Sequence, residues 1–315
     1  MLAGAVANAQ INEFQVKEPK VEAGEIELEY LGDYHFGQPR RRFVEEAPGS
    51  FEFDDNAFSR QRHVLGLGYG LTNWLGLGVS VGFEQERFED AASVAQARSF
   101  DDLKATEVQI EGTVVLLPAR KDGVGVAFLF EQDIAIDRGE GDQLFLGTAL
   151  QYATGRWSAT ANLYGVRHFW GREELEGALI RDERWDFQYA AQVKYQLNEA
   201  LALAVEGFGV VERLGGSGRK SDERLLFGDF DRHLLGPAFY YSWGGGDDDH
   251  ASSKAGKHLR VRGADAIGKN GNNGDDDDKT GGSEGPKYTL GAGVLFGLND
   301  NTSDVALKWA LSVEF

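Results

Sequence analysis

Along residues 305–315 apolar and polar positions alternate without a break. Val305, Leu307, Trp309, Leu311, Val313 and Phe315 fall on one side, and Ala306, Lys308, Ala310, Ser312 and Glu314 on the other. A strand sends neighbouring side chains to opposite faces, so period two marks a strand with one greasy and one polar face. A helix would scatter both sets around its circumference. The same split recurs in 25–36, 75–84, 106–116, 124–136 and 185–197, and more weakly in 62–71, 143–153, 157–169, 200–212, 233–243 and 287–298. The pattern predicts about twelve strands of roughly 10–13 residues.

Two architectures give such a list. A soluble sandwich or barrel packs its apolar face inward, with strands of about 5–6 residues. A membrane barrel turns the apolar face to lipid and needs about 9–11 residues per crossing. Strand length favours the second. The polar faces carry many Gly, Ala and Ser beside charges, which relieves crowding in a narrow lumen. Trp74, Trp157, Tyr195, Trp243 and Tyr288 sit at one set of strand ends, and Phe36, Phe88 and Trp185 near the other, as two interfacial girdles would. The expected fold is therefore all-β: a single antiparallel, up-and-down transmembrane β-barrel of about twelve strands over 25–315.

Predicted connections alternate in length. Short ones fall at 72–73, 118–122, 154–156 and 198–199, and longer ones at 37–60, 89–101, 170–184 and 214–232. Short turns face the periplasm and long loops face outward in outer-membrane barrels, so an even strand count leaves both termini in the periplasm. Two connections fit badly. Residues 299–304 should face outward but are few. Residues 244–286, rich in Gly, Asp and Asn, should be periplasmic by parity yet form the longest loop, predicted to be disordered. Either this is an unusual insertion or the count is off by one strand nearby, with 223–230 and 257–262 the stretches in question. Residues 1–9 end in the small-x-small triplet Ala7, Asn8, Ala9 and match the tail of a secretory signal; 10–24 follow as a periplasmic lead.

Composition narrows the chemistry. There is no Cys among 315 residues, which removes disulfides, Cys-bound zinc, iron–sulfur clusters and thiol nucleophiles. A net charge of −19 disfavours nucleic acid as a partner. The predicted inward face gathers the carboxylates Glu27, Glu29, Asp33, Glu84, Glu107, Glu111, Glu131, Asp133, Asp186 and Glu206, with Lys104, Lys194 and Lys308 offsetting part of that charge. An acidic lumen favours cations; the competing reading is that these groups pair with Arg and Lys or are simply solvated. His35 and His168 face inward near the outer side, whereas Ser80 and Ser158 lie toward the other end, so no Ser–His pair for hydrolysis is predicted. The aspartates at 247–249 with His250, and those at 275–278, lack the spaced pattern of a calcium loop. Arg40, Arg41 and Arg42 are candidates for lipopolysaccharide phosphates, with a solvated turn as the plainer alternative. No cofactor or metal is expected.

GYGLTNWLGLG at 68–78, GEIELEY at 24–30, GPAFYYSW at 236–243 and VLFGLNDNTSDVALKWALSVEF at 294–315 resemble proteobacterial outer-membrane barrels of the MetA-pathway phenol-degradation type and related barrels of that membrane. The resemblance implies an outer-membrane location and passage of hydrophobic or aromatic compounds. Leu307, Trp309, Leu311, Val313 and the terminal Phe315 resemble the signal read by the barrel-assembly machinery. The expected partners are thus that machinery, outer-membrane lipid and lipopolysaccharide, and a small solute. The leading expectation is a passive, porin-like channel with a cation-preferring lumen and no enzymatic activity. A closed structural or ligand-binding barrel is the alternative, and an outer-membrane hydrolase a third.

Overall fold

The computed structural model describes residues 14–43, 51–88, 100–136, 141–169, 172–175, 178–181, 183–212, 214, 231–245 and 285–315. Its strands are β1 (Ile26–Phe43), β2 (Phe51–Thr72), β3 (Leu75–Phe88), β4 (Lys104–Leu117), β5 (Gly123–Ala135), β6 (Gln143–Thr154), β7 (Trp157–His168), β8 (Arg172–Leu175), β9 (Ala178–Arg181), β10 (Arg184–Gln196), β11 (Leu201–Val211), β12 (Arg232–Gly244), β13 (Lys287–Gly297) and β14 (Val305–Glu314). Twelve of them close into an antiparallel barrel in chain order, with β7 beside β10 and β14 beside β1; β8 and β9 pair separately. The seam closes from Glu27 opposite Glu314 to Phe36 opposite Val305. Past it, the Phe315 N–H donates to the Ile26 carbonyl at 2.9 Å.

Polarity is inverted relative to a soluble barrel. Leu65, Leu67, Tyr69, Val205 and Phe239 lie exposed on the outer wall, whereas Arg62, Asn162, Asp186 and Glu206 are 0% exposed inside. Such an exterior is stable only against hydrocarbon, and closure leaves no strand edge unpaired in it. At the terminus end, Trp157 lies 4.7 Å from Tyr195, and Trp243 stacks 5.4 Å from Tyr288, forming part of the expected girdle.

The pairing also corrects several boundaries. The predicted loop at 37–60 is largely strand, since β1 and β2 stay paired out to Phe43 opposite Phe51. Apolar residues are sparse there, with Phe43, Phe51 and Phe53 set among polar residues, so the hydrophobic pattern missed it. Arg40 and Arg42 lie in this ladder opposite Asp54 and Glu52 rather than in a turn. The connection at 170–184 contains the β8–β9 pair. Gly244 pairs with Lys287, so the strand count stands at that point and the connection between β12 and β13 leaves from the terminus end. The aspartates at 247–249 and 275–278, His250, the stretches 223–230 and 257–262, and the signal-like residues 1–9 lie outside the described residues.

Candidate functional site

Residues 14–22 of the lead lie inside the lumen. The chain reverses at Gly24, whose φ of +86° suits glycine, and the Gly24 N–H donates to the Gly70 carbonyl at 2.7 Å. Glycine at 70 is needed for a second reason: a Cβ there would overlap the Glu22 carbonyl. From the bend the strap climbs one wall. The Ala119 N–H donates to the Pro19 carbonyl at 2.9 Å. Asn162 of β7 then copies a sheet neighbour, accepting from the Lys17 N–H at 2.7 Å and donating to the Lys17 carbonyl at 2.8 Å. At its inner end Phe14 is buried in an apolar pocket with Phe208, Leu234 and Leu295.

The strap brings a cation to carboxylates of the wall. The Lys17 ammonium binds Glu111 and lies 3.5 Å from Glu131. Gln15 donates to Glu29 at 2.5 Å, and Lys194 of β10 donates to Glu18 at 2.5 Å. At the mouth, the hydrogen bond from Lys20 holds the Glu22 carboxyl below the usual carboxylate range.

Other carboxylates pair within the wall. Glu107 binds Arg62. Glu206 accepts from Lys308 at 2.6 Å, from Gln192 at 2.6 Å and from the Tyr240 hydroxyl. Asp186 lies 3.2 Å from the Arg184 Nε and 2.9 Å from His168. Asp133 is buried on β5, Glu84 stands opposite Arg62 in the β2–β3 register, and Glu27 remains on the open part of the lumen. The structure thus places all ten predicted carboxylates on the inner wall and pairs Glu107, Glu111, Glu131, Asp186 and Glu206 with Lys or Arg. Lys17, Arg62 and Arg184 escaped the sequence count. Lys17 lay in the lead, and the two arginines belong to polar faces that the carboxylates dominated. Lys104, counted as luminal, is exposed at the rim beside Asp101. The inner-face glycines beside the strap, Gly70 and Gly76, were the available sign that something packs there.

At the opposite end the tight β13–β14 connection turns inward, with Asn301, Thr302 and Ser303 buried. Asn299 donates to the Asp231 carbonyl at 2.5 Å, and Thr302 Oγ1 accepts from the His233 N–H at 2.9 Å. Ser303 Oγ lies 2.7 Å from His35 Nδ1, and Asp33 lies 3.2 Å from His35 Nε2. No local pattern pairs His35 with Ser303, which is 268 residues away in the chain. The trio has the composition of a hydrolytic triad. Its geometry is that of a latch: Arg60 Nη2 also reaches His35 Nε2 at 3.3 Å, and the adjoining void of about 10 Å³ has no room for a substrate.

Between strap and wall remains a cavity of about 420 Å³. It runs from Gln196, Ala200 and Glu314 at the terminus rim, past Glu27 and Glu29, to Phe14, Leu31 and Lys308 at its inner end. Of the residues predicted to form an assembly signal, Leu307, Leu311 and Phe315 face outward, and Trp309 lies over Gly32, where any Cβ would strike its ring.

No protein-family model matches the chain, and no curated protein matches it by sequence. Solved structures do resemble it. The COG4313 outer membrane channel from Pseudomonas putida F1 superposes with a TM-score of 0.55 at 9% identity, over 94% of this chain and 97% of that one. The NanC porin gives a TM-score of 0.46 at 11% identity over 91% and 98%. The transport unit of the autotransporter AIDA-I from Escherichia coli gives 0.45 at 11% over 100% and 95%. Inverted polarity, closed topology and the first of these superpositions agree: this chain is a twelve-stranded bacterial outer-membrane β-barrel.

Proposed function

We propose that the protein is a gated outer-membrane channel for small solutes, and that its N-terminal strap is the gate. The observation that carries this reading is the strap itself: residues 14–22 occupy a barrel otherwise wide enough to conduct. Twelve strands spaced about 4.8 Å apart and tilted about 40° give a backbone diameter of roughly 24 Å, or about 14 Å between side chains. Such a bore holds one extended chain with water beside it. The strap is held by ion pairs and a few hydrogen bonds rather than by continuous sheet pairing, so its release costs far less than unfolding the wall. The likeness to a protein described as an outer membrane channel supports the same reading.

Cation preference belongs to the released state. With the strap in place, Lys17 offsets Glu111 and Glu131, and Gln15 covers Glu29. Withdrawal uncovers these carboxylates, and the field in a narrow lumen then favours cations. Planar-bilayer recording of the intact chain and of a variant lacking residues 14–22 tests both points. The expected result is rare openings in the first, sustained conductance in the second, and reversal potentials on the cation side. A folded deletion variant that stays silent would overturn the channel and favour a closed structural barrel, a reading that the inward-folded Asn301–Ser303 turn otherwise supports. Anion-side reversal would overturn the selectivity alone. We further propose that the strand ending in Phe315 is the segment read during barrel assembly.

A further inference from the structure

The lumen carries two apolar patches: Val21 of the strap packs against Leu129, Phe145, Tyr164 and Val166, and the second patch is the pocket around Phe14. Above it lie His35, Asp33 and Arg60, and below it the ion pairs of Lys17 and Glu206. Between these polar layers, Phe208, Leu234 and Leu295 are 0–2% exposed and turn their side chains inward. Both patches receive side chains of the strap, so the inner wall binds apolar groups as well as charged ones. The occupant of the second patch is not part of the wall: the Phe14 ring meets Phe208 edge-on at 5.1 Å and lies 5.3 Å from the His35 ring.

The occupant also offers one polar atom. Lys308 Nζ donates to the Phe14 carbonyl at 2.5 Å while holding Glu206 at 2.6 Å, and it sits 5.1 Å from the centre of the Phe208 ring. The wall therefore recognises a ring with an acceptor oxygen a few bonds away. That oxygen is neutral, which fits a donor already paired with a carboxylate; a second anion there would be repelled by Glu206 and by nearby Asp33. The 420 Å³ cavity ends on Phe14 and Lys308, so a solute entering from the terminus side arrives at this point.

We propose that this pocket is a binding subsite for a small neutral aromatic solute carrying one acceptor oxygen, and that solute and Phe14 compete for it. Binding would then help release the strap. The inference rests on the strap being a gate, but the subsite can be tested without any conductance measurement.

The test is calorimetric titration of the full chain in detergent with 3-phenylpropanamide, whose ring and carbonyl copy the Phe14 spacing. Propylbenzene supplies the ring without the oxygen, and 3-phenylpropanoate supplies the charge. A pocket occupied by a tethered competitor shows an affinity reduced by the fraction of time it is free, so Phe14→Ala is expected to tighten amide binding at least about tenfold. In the Phe14→Ala background, Phe208→Ala should weaken it, and Lys308→Met should erase the advantage of the amide over propylbenzene. Folding of each variant is checked by heat-dependent mobility. Equal affinity with and without the Phe14 ring, tighter binding of the propanoate, or full binding by the folded Phe208→Ala, Phe14→Ala variant would overturn the subsite. If the strap-deleted barrel conducts but Phe14→Ala binds no amide, the subsite fails and the channel stands. If Phe14→Ala binds and the deleted barrel is silent, the subsite stands and the channel fails.

Discussion

Lys17→Met is the sharpest probe of the gate. Its ammonium is 18% exposed and bridges Glu111 and Glu131, which are 37% and 10% exposed. A hydrogen bond between charged partners contributes about 1.5–3 kcal/mol, and the partial exposure of Glu111 lowers that through solvent screening. Together these place the cost to the docked state at about 2 kcal/mol, while the released strap, with Lys17 in water, loses nothing. At about 1.4 kcal/mol per tenfold, the open-to-closed ratio should rise roughly 30-fold. Single-channel open probability reads this directly. Lys20→Met is the matched control, since Lys20 and its partner Glu22 are 51% and 59% exposed; it should change the ratio by less than about twofold. In a Glu111→Gln, Glu131→Gln background the Lys17 effect should largely vanish, because the pair energy is already gone. If Lys17→Met opens no more often than Lys20→Met, the ion pairs do not hold the gate.

Other expectations follow from single contacts. Asn162→Ala removes both hydrogen bonds to the Lys17 backbone and should raise open probability by about tenfold, at about 1–2 kcal/mol for the pair, and it should speed protease cleavage of the strap with the barrel intact. Gly32→Val drives a side chain into the Trp309 ring; urea unfolding in micelles should show a loss of about 1–3 kcal/mol, and Gly32→Val with Trp309→Ala should recover part of it. Ser303→Ala frees one end of the latch on His35, so in the strap-deleted barrel it should increase conductance; an ester hydrolysis lost in this variant would instead revive the hydrolase reading. Deleting Phe315 should slow appearance of the heat-resistant folded form in cells, and normal kinetics would reject its role in assembly.

The barrel was legible in the chain because period two is local. Each strand such as 305–315 or 185–197 states its own two faces, and a length beyond ten residues with a greasy side selects lipid over a packed core. The even count, the alternation of turns and the inward placement of Glu107, Glu131 and Glu206 followed from the same parity. Parity says which side a residue faces, but not what it meets there. Lys17 reaches Glu111 across 94 residues, Asn162 reaches Lys17 across 145, and His35 reaches Ser303 across 268. Partners so distant are brought together only when the wall closes, and no periodicity encodes them. The sequence by itself determined a membrane barrel and which residues of each strand share a face. Tertiary structure alone decided which of the inward carboxylates meet a cation and that the chain's own lead lies in the lumen, because a closed wall fixes the width of the bore and thereby which segment fits inside it.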